Sequence, residues 1–282
     1  MCRFAIYLGN EIAVRTLVTE PKNSIIHQSF HSHEYVEPLN GDGFGIAWYP
    51  TDATQDPAVF KSMMPAWSNR NLRELARVTK TNCLLAHVRA AATPPLPVHD
   101  LNCHPFSVGR LTFMHNGQLG GFGKYKKQLI AGLSEKSYGR IEGSTDSEHL
   151  FAMFLDRLDL DLTNGDVAQR FVDAMNATIR DAESLRREHA PEDVSALNLV
   201  VSDGAHAVVS RYVSSGPANT LYFREGIPRV CEKGLCHMDS SEGDSVLIAA
   251  EPLDEASAWT VVEPGNVVVV SKGKPSIQTL KN

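Results

Sequence analysis

Short apolar runs rich in β-branched and aromatic residues recur along the chain. They fall at 3–8 (RFAIYL), 43–49 (GFGIAWY), 83–90 (CLLAHVRA), 111–115 (LTFMH), 197–202 (LNLVVS), 206–213 (HAVVSRYV), 220–224 (TLYFR), 245–250 (SVLIAA) and 266–271 (NVVVVS). Gly, Pro, Asn or Asp bounds each run, which predicts β-strands. Helical periodicity governs two other stretches. In 144–158, Leu150, Phe151, Phe154, Leu155 and Leu158 share a face, and Thr145 followed by Glu148 predicts a capping box. In 166–187, Val167, Phe171, Met175, Ile179 and Leu185 form a second stripe, and a weaker helix is predicted over 68–79 around Leu72 and Leu75. Strands cluster at both ends of the chain with helices between them. That order predicts antiparallel sheets in an α+β architecture, not a doubly wound parallel sheet. No linker or repeat divides the chain, so residues 1–282 are expected to form one domain.

Composition narrows the class. A chain of 282 residues buries about three quarters of its unfolded surface and needs no disulfide or metal to hold a core. Its formal charge of −6 argues against a nucleic-acid binder. No apolar run reaches the roughly 18 residues of a membrane span, and the opening MCRFAIYLGNE lacks the apolar core of a signal peptide. No nucleic-acid or membrane partner is therefore expected, and a cytoplasmic location is. Five cysteines, an odd number, fit reduced thiols better than a disulfide framework. His31 and His33 form an HxH and Cys231, Cys236 and His237 form CEKGLCH, but neither has a partner at zinc spacing, so no metal is expected.

Four features carry candidate chemistry. Cys2 directly follows Met1, and removal of Met1 would leave a thiol and a free α-amine on one residue. Such an amine titrates near 7.7–8.0, close enough to neutral pH to take the thiol proton. The alternative is a small hydrophobe opening a strand. Asn116 and Gly117 follow the strand LTFM, where a carboxamide and an adjacent N–H could form an oxyanion hole. Asn-Gly is equally a hairpin signal. Arg89 ends a strand, placed either to grip a planar carboxylate or to form a structural ion pair, and His87 should share its face. Asp146 opens the best helix, where it could receive an ammonium group or simply complement the helix dipole. The glycine-rich GDGFG at 41–45 precedes a strand instead of joining one to a helix, so it predicts close backbone packing beside a site rather than a phosphate loop.

Together these describe one substrate: a γ-glutamyl compound attacked at its side-chain amide carbon. The order of Cys2, HVR with a following Thr, HNG and STDSE resembles the class II glutamine amidotransferase domain of the N-terminal-nucleophile hydrolases. Within that superfamily, MCRFAIYLG, SIIHQSF, NGDGFGIAWY, AHVRA, NCHPF and FMHNGQLGGF most resemble the amidotransferase-like subunits of cytosolic glutathione degradation.

The resemblance implies a four-layer αββα sandwich of two antiparallel sheets. It implies Cys2 as nucleophile with its own amine as base, Asn116 and Gly117 as the oxyanion hole, Arg89 and Thr93 on the substrate α-carboxylate, and Asp146 on its α-ammonium group. Thr93 sits one position later than in most relatives, with Ala92 in the usual place, a slip that reverses its face in a strand. The EPL at 251–253 follows Ala250 where relatives carry Ser. The expected activity is hydrolysis or transfer through a γ-glutamyl thioester on Cys2, with no cofactor. Beyond residue 160 the chain has room only to complete the sandwich, so any acceptor or peptidase subunit is expected to be a separate chain. A non-catalytic subunit, or an N-terminal-Cys acylase for another amide, remain the alternatives.

Overall fold

The computed structural model describes residues 2–34, 39–50, 55–90, 98–158, 160, 162, 165–228, 238–239 and 245–281, with backbone alone at 227–228 and 238–239. In chain order the strands are β1 (Arg3–Ala13), β2 (Phe44–Trp48), β3 (Ala58–Ser62), β4 (Lys80–Val88), β5 (Phe106–Val108), β6 (Leu111–Gln118), β7 (Ala196–Ser202) and β8 (His206–Arg211). They continue with β9 (Tyr222–Glu225), β10 (Ile227–Pro228), β11 (Met238–Asp239), β12 (Val246–Ala249), β13 (Thr260–Val261), β14 (Asn266–Ser271) and β15 (Lys274–Thr279). The α-helices are α1 (Arg15–Val18), α2 (Ile25–Phe30), α3 (Arg70–Val78), α4 (Phe122–Ala131), α5 (Glu135–Tyr138), α6 (Asp146–Arg157) and α7 (Val167–His189).

One sheet has the order β13-β9-β12-β1-β4-β2-β3 and the other β15-β14-β8-β7-β6-β5, while β10 and β11 pair separately. Neighbours in both sheets run antiparallel. Period-2 alternation then sorts side chains into layers. On β1, Phe4, Ile6 and Leu8 join Cys83 and Leu85 of β4, Met114 of β6, Val200 of β7 and Val268 of β14 in a core between the sheets. The opposite faces of β1 and β4, with Ala5, Tyr7, Leu84 and Ala86, pack on Leu17, Ile25, Ile26 and Leu72 of α1–α3. Phe113, Leu197, Leu199 and Val201 of the second sheet pack on Phe154, Phe171, Met175 and Ile179 of α6 and α7. The result is the expected αββα sandwich, in which each fully buried Val or Leu contributes about 1.5–3 kcal/mol.

Several elements differ from the sequence reading. Strand β1 runs on to Ala13 past a register shift between Leu8 and Ile12. The helices α1, α2, α4 and α5 and the strands β3, β5, β10, β11, β13 and β15 add to those expected. The capping box is half formed: the Thr145 hydroxyl accepts from the Glu148 N–H at 3.2 Å. The Glu148 carboxylate instead accepts from the N–H groups of Glu142 (2.9 Å) and Gly143 (2.7 Å), tying down the turn before α6.

Candidate active site

Cys2 lies one residue before β1. Its alternation with Phe4 turns the side chain towards the space between the sheets. The half-buried thiol is held at the backbone of Ala90, donating to its carbonyl at 3.5 Å and accepting from its N–H at 3.4 Å. Burial pushes the Cys2 thiol above its ordinary value, opposed by the Ala90 hydrogen bond and the positive charges of Arg89 and Arg3. The Cys2 carbonyl accepts from the Arg3 guanidinium at 2.8 Å. That guanidinium is itself fixed by Glu251 Oε2 (3.0 Å) and by the Ser32 hydroxyl (2.9 Å).

Arg89 extends the β4 ladder one residue beyond the strand. Its N–H donates to the Gly43 carbonyl at 2.9 Å, and its carbonyl accepts from the Asp42 N–H at 3.0 Å. Its guanidinium is buried yet, among the described residues, meets no carboxylate; it donates only to the Asp42 carbonyl at 3.4 Å. This removes the structural ion pair from the readings of Arg89 among the described residues. The glycines of GDGFG allow the approach of Cys103 and His104: a Cβ at Gly43, where φ is +109°, would meet Cys103 Sγ at 2.7 Å, and one at Gly45 would meet the His104 carbonyl.

In the second sheet, Asn116 and Gly117 lie inside β6, paired with Asn198 and Leu197 of β7, so the hairpin reading of HNG does not hold. Met114 belongs to the inter-sheet core and Phe113 to the helix-side core, which sends Asn116 between the sheets and His115 towards the helices. The Asn116 carboxamide is fully buried, and among the described residues neither its nitrogen nor its oxygen has a partner. Gly117 has φ +152°, and a Cβ there would collide with the Ala196 carbonyl.

Two clips bring α6 to this strand. His115 Nε2 faces the Ala196 carbonyl at 3.1 Å and so carries the proton, leaving Nδ1 to accept from the Ser147 hydroxyl at 2.9 Å. Burial lowers the His115 pKa, keeping the ring neutral. Asp146 Oδ2 accepts from the Leu119 N–H at 2.7 Å and Oδ1 from the Ser147 N–H at 2.8 Å. Oδ1 also lies 3.3 Å from the Ser147 hydroxyl, while among the described residues Oδ2 keeps a second lone-pair direction. The sheets are joined beside the site by His87, whose Nε2–H donates to the His115 carbonyl at 3.2 Å. Burial pushes His87 down to about 3, and its ring lies 4.2 Å from that of His104.

The structure therefore gathers Cys2 and Arg89 at one end of the first sheet, and Asn116, Gly117 and Asp146 at the facing end of the second. Thr93 lies outside the described residues, as does the CEKGLCH segment. His31 and His33 stand 4.8 Å apart by ring centroids, but among the described residues no group of three His, Cys, Asp or Glu side chains is placed to hold a metal ion. Sequence reasoning missed the role of Glu251. Its buried carboxylate gathers Arg3, Asn23 Nδ2 (2.9 Å) and the His33 N–H (2.9 Å) around the start of β1. The EPL motif was the available signal, but nothing in it named the partners.

The same architecture occurs in solved structures. A glutamine aminotransferase class-II domain protein from Silicibacter pomeroyi superposes with a TM-score of 0.69 at 26% identity, with complete coverage of both chains. The glutamine phosphoribosylpyrophosphate amidotransferase of B. subtilis matches the whole chain and 49% of its own length, with a TM-score of 0.61 at 17% identity. Fold and layer order thus define an N-terminal-nucleophile amidotransferase sandwich. The chain belongs to the class II glutamine amidotransferases, whose family model matches residues 19–282. Cys2 precedes the matched segment. The Probable glutamine amidotransferase DUG3 of Saccharomyces cerevisiae is 39% identical across 96% of this chain and 82% of its own. The gamma-glutamyl-hercynylcysteine sulfoxide hydrolase of Mycobacterium tuberculosis is 23% identical across 96% of this chain and 94% of its own.

Proposed function

We propose that this protein, once Met1 is removed, cleaves glutamine or a γ-glutamyl peptide through a γ-glutamyl thioester on Cys2. The observation that carries the reading is the buried carboxamide of Asn116, without a partner among the described residues and facing the sheet that presents the Cys2 thiol. A buried amide without a partner is costly, so it must gain one when the site fills. The family and the γ-glutamyl hydrolase relatives support the substrate class.

In this mechanism the α-amine of Cys2 takes the thiol proton and the sulfur attacks the γ-carbonyl carbon. The carbonyl electron pair moves onto oxygen, where Asn116 Nδ2–H and the Gly117 N–H receive it. Collapse of the tetrahedral adduct breaks the C–N bond, and the leaving amine departs with the proton held by the α-ammonium. Water, deprotonated by the same amine, then attacks the thioester and releases glutamate and the thiol. Arg89 holds the α-carboxylate with help from Thr93, and Asp146 holds the α-ammonium group. The acceptor is water, or an amine delivered by a separate subunit. The chemistry needs a reduced thiol, consistent with a cytoplasmic enzyme and with Cys2, Cys83 and Cys103 all being free.

The test is turnover of glutamine and γ-glutamyl peptides by protein whose amino terminus has been verified by mass. Cys2→Ala should lower turnover about a thousandfold or more, and a glutamine-like electrophile should add its mass to Cys2 alone. Undiminished turnover in Cys2→Ala would sink the reading.

A further inference from the structure

A second buried amide beside the first has no role in the mechanism above. Asn198 on β7 is the direct cross-strand partner of Asn116 on β6. It is fully buried, and its alternation with Leu197 and Leu199 on the helix side puts it between the sheets, like Asn116. Asn198 Nδ2 donates to the Thr220 carbonyl at 3.0 Å, which fixes the plane of its carboxamide. Its Oδ1 is left buried and, among the described residues, without a partner. The neighbouring Asn219 closes the same arrangement, donating from Nδ2 to the Asn116 carbonyl at 3.2 Å. Its own carbonyl accepts from Arg211 Nε at 2.8 Å.

A carboxamide nitrogen carries two N–H donors, and an oxyanion takes only one. Inside a sandwich the other needs an acceptor, and directly opposed residues of an antiparallel pair hold their Cβ atoms about 4.5–5.5 Å apart, within reach of two Asn side chains. We propose that Asn198 is the positioning residue of the oxyanion hole: the two amides are not bonded to each other in this structure, and when the site fills Asn198 Oδ1 accepts the second Nδ2–H of Asn116 and thereby aims the first at the developing oxyanion. The inference rests on the oxyanion role proposed for Asn116. It adds that the orientation of that group is set from β7 through Thr220, and not by Asn116 alone.

A kinetic double-mutant cycle tests it, using Asn116→Ala, Asn198→Leu and the double variant, with folding checked by thermal unfolding. In the native background Asn198→Leu should lower kcat about ten- to a hundredfold with KM within about twofold, less than the 10²–10³ expected for losing an oxyanion donor outright. In the Asn116→Ala background the same change should lower kcat by less than about twofold. Asn198→Asp keeps an acceptor oxygen and, measured against the native protein at the same pH, should recover most of the loss at low pH, where a neutral carboxyl donates to Thr220 as the amide did. If Asn198→Leu does not fold, Asn198→Ser takes its place in the cycle. Equal losses in both backgrounds, or an Asp variant no better than Leu, overturn the positioning role alone. An Asn116→Ala variant with unchanged kcat overturns the oxyanion reading and this proposal together.

Discussion

Arg3 and Glu251, separated by 248 residues in sequence, form a buried ion pair at 3.0 Å immediately beside the carbonyl of Cys2. Neither side chain is more than 2% exposed. Taking two charges out of water is repaid only when every remaining donor and acceptor is satisfied, and here Ser32, Asn23 and the His33 N–H complete the set. Glu251→Ala should therefore destabilise the fold by about 3–5 kcal/mol, because it strands the Arg3 guanidinium in the interior. Arg3→Met combined with Glu251→Leu should cost less than either change alone. Denaturant midpoints of the three variants check this.

Gly117 occupies a backbone conformation that L side chains rarely adopt, with the Ala196 carbonyl where a Cβ would be. Gly117→Ala should destabilise by about 1–3 kcal/mol. It should also lower turnover, since β6 cannot shift without moving Asn116. Thermal unfolding and steady-state kinetics measured on one preparation test both effects.

Asp146 clips Leu119 to α6 and is proposed to receive the substrate ammonium. Asp146→Asn turns one acceptor oxygen into a donor facing a backbone N–H, at a cost of about 1–3 kcal/mol in stability. The ammonium role predicts in addition a KM for glutamine raised about tenfold or more, with a smaller change in kcat. A stability loss with KM unmoved would leave Asp146 as a clip only.

At the turn between β7 and β8, His206 Nδ1 lies 3.1 Å from Asp203 Oδ2. The hydrogen bond to Asp203 raises the His206 pKa, against burial, which lowers it. Because the folded value lies above the unfolded value of about 6.5, the stabilisation is fully present below about pH 6.5 and is lost as pH rises through the folded value. His206→Gln should lower the melting temperature more at pH 6 than at pH 8, by an amount corresponding to at most about 1 kcal/mol. Equal shifts at both pH values would remove the ion pair from the account.

Layer order was legible because alternation along β1, β4, β6 and β7 is regular, so odd and even positions name the two cores. Cys2, Arg89 and Asp146 stood out in the sequence because each stands at a strand or helix end, and Asn116-Gly117 because that pair is unusual inside a strand; the roles given to them are proposals. The turn reading of Asn116-Gly117 failed because local propensity cannot register a strand that continues to Gln118 and pairs with β7. The expected Glu148 capping partner changed because Glu142 and Gly143 offered two backbone N–H groups to one carboxylate. Helix α4 escaped notice because FGKYKKQLIA buries only Tyr125 and Leu129, one short stripe among lysines. Strand β15 is an edge with Pro275 and largely exposed side chains, too polar to show the alternation of a buried strand. Glu251, and Asn198 in the role proposed for it, were invisible in the sequence, since what each side chain meets is brought to it by the fold.

The Arg3–Glu251 pair also sets an order of events during synthesis. Strand β1 lies between β4 and β12, so residues 3–8 acquire their second neighbour only when residues 246–249 exist. Until then β1 has only β4 beside it, and Arg3 lacks the carboxylate that anchors it. The removal of Met1 proposed above would therefore meet a strand lacking one of its two neighbours, and the surroundings of Cys2 are completed only after residues 246–251 have been made. Contacts this distant in sequence form late and slowly. On the proposed mechanism, the Cys2 thiol would then gain its nucleophilic setting only once the proposed pocket around it is complete.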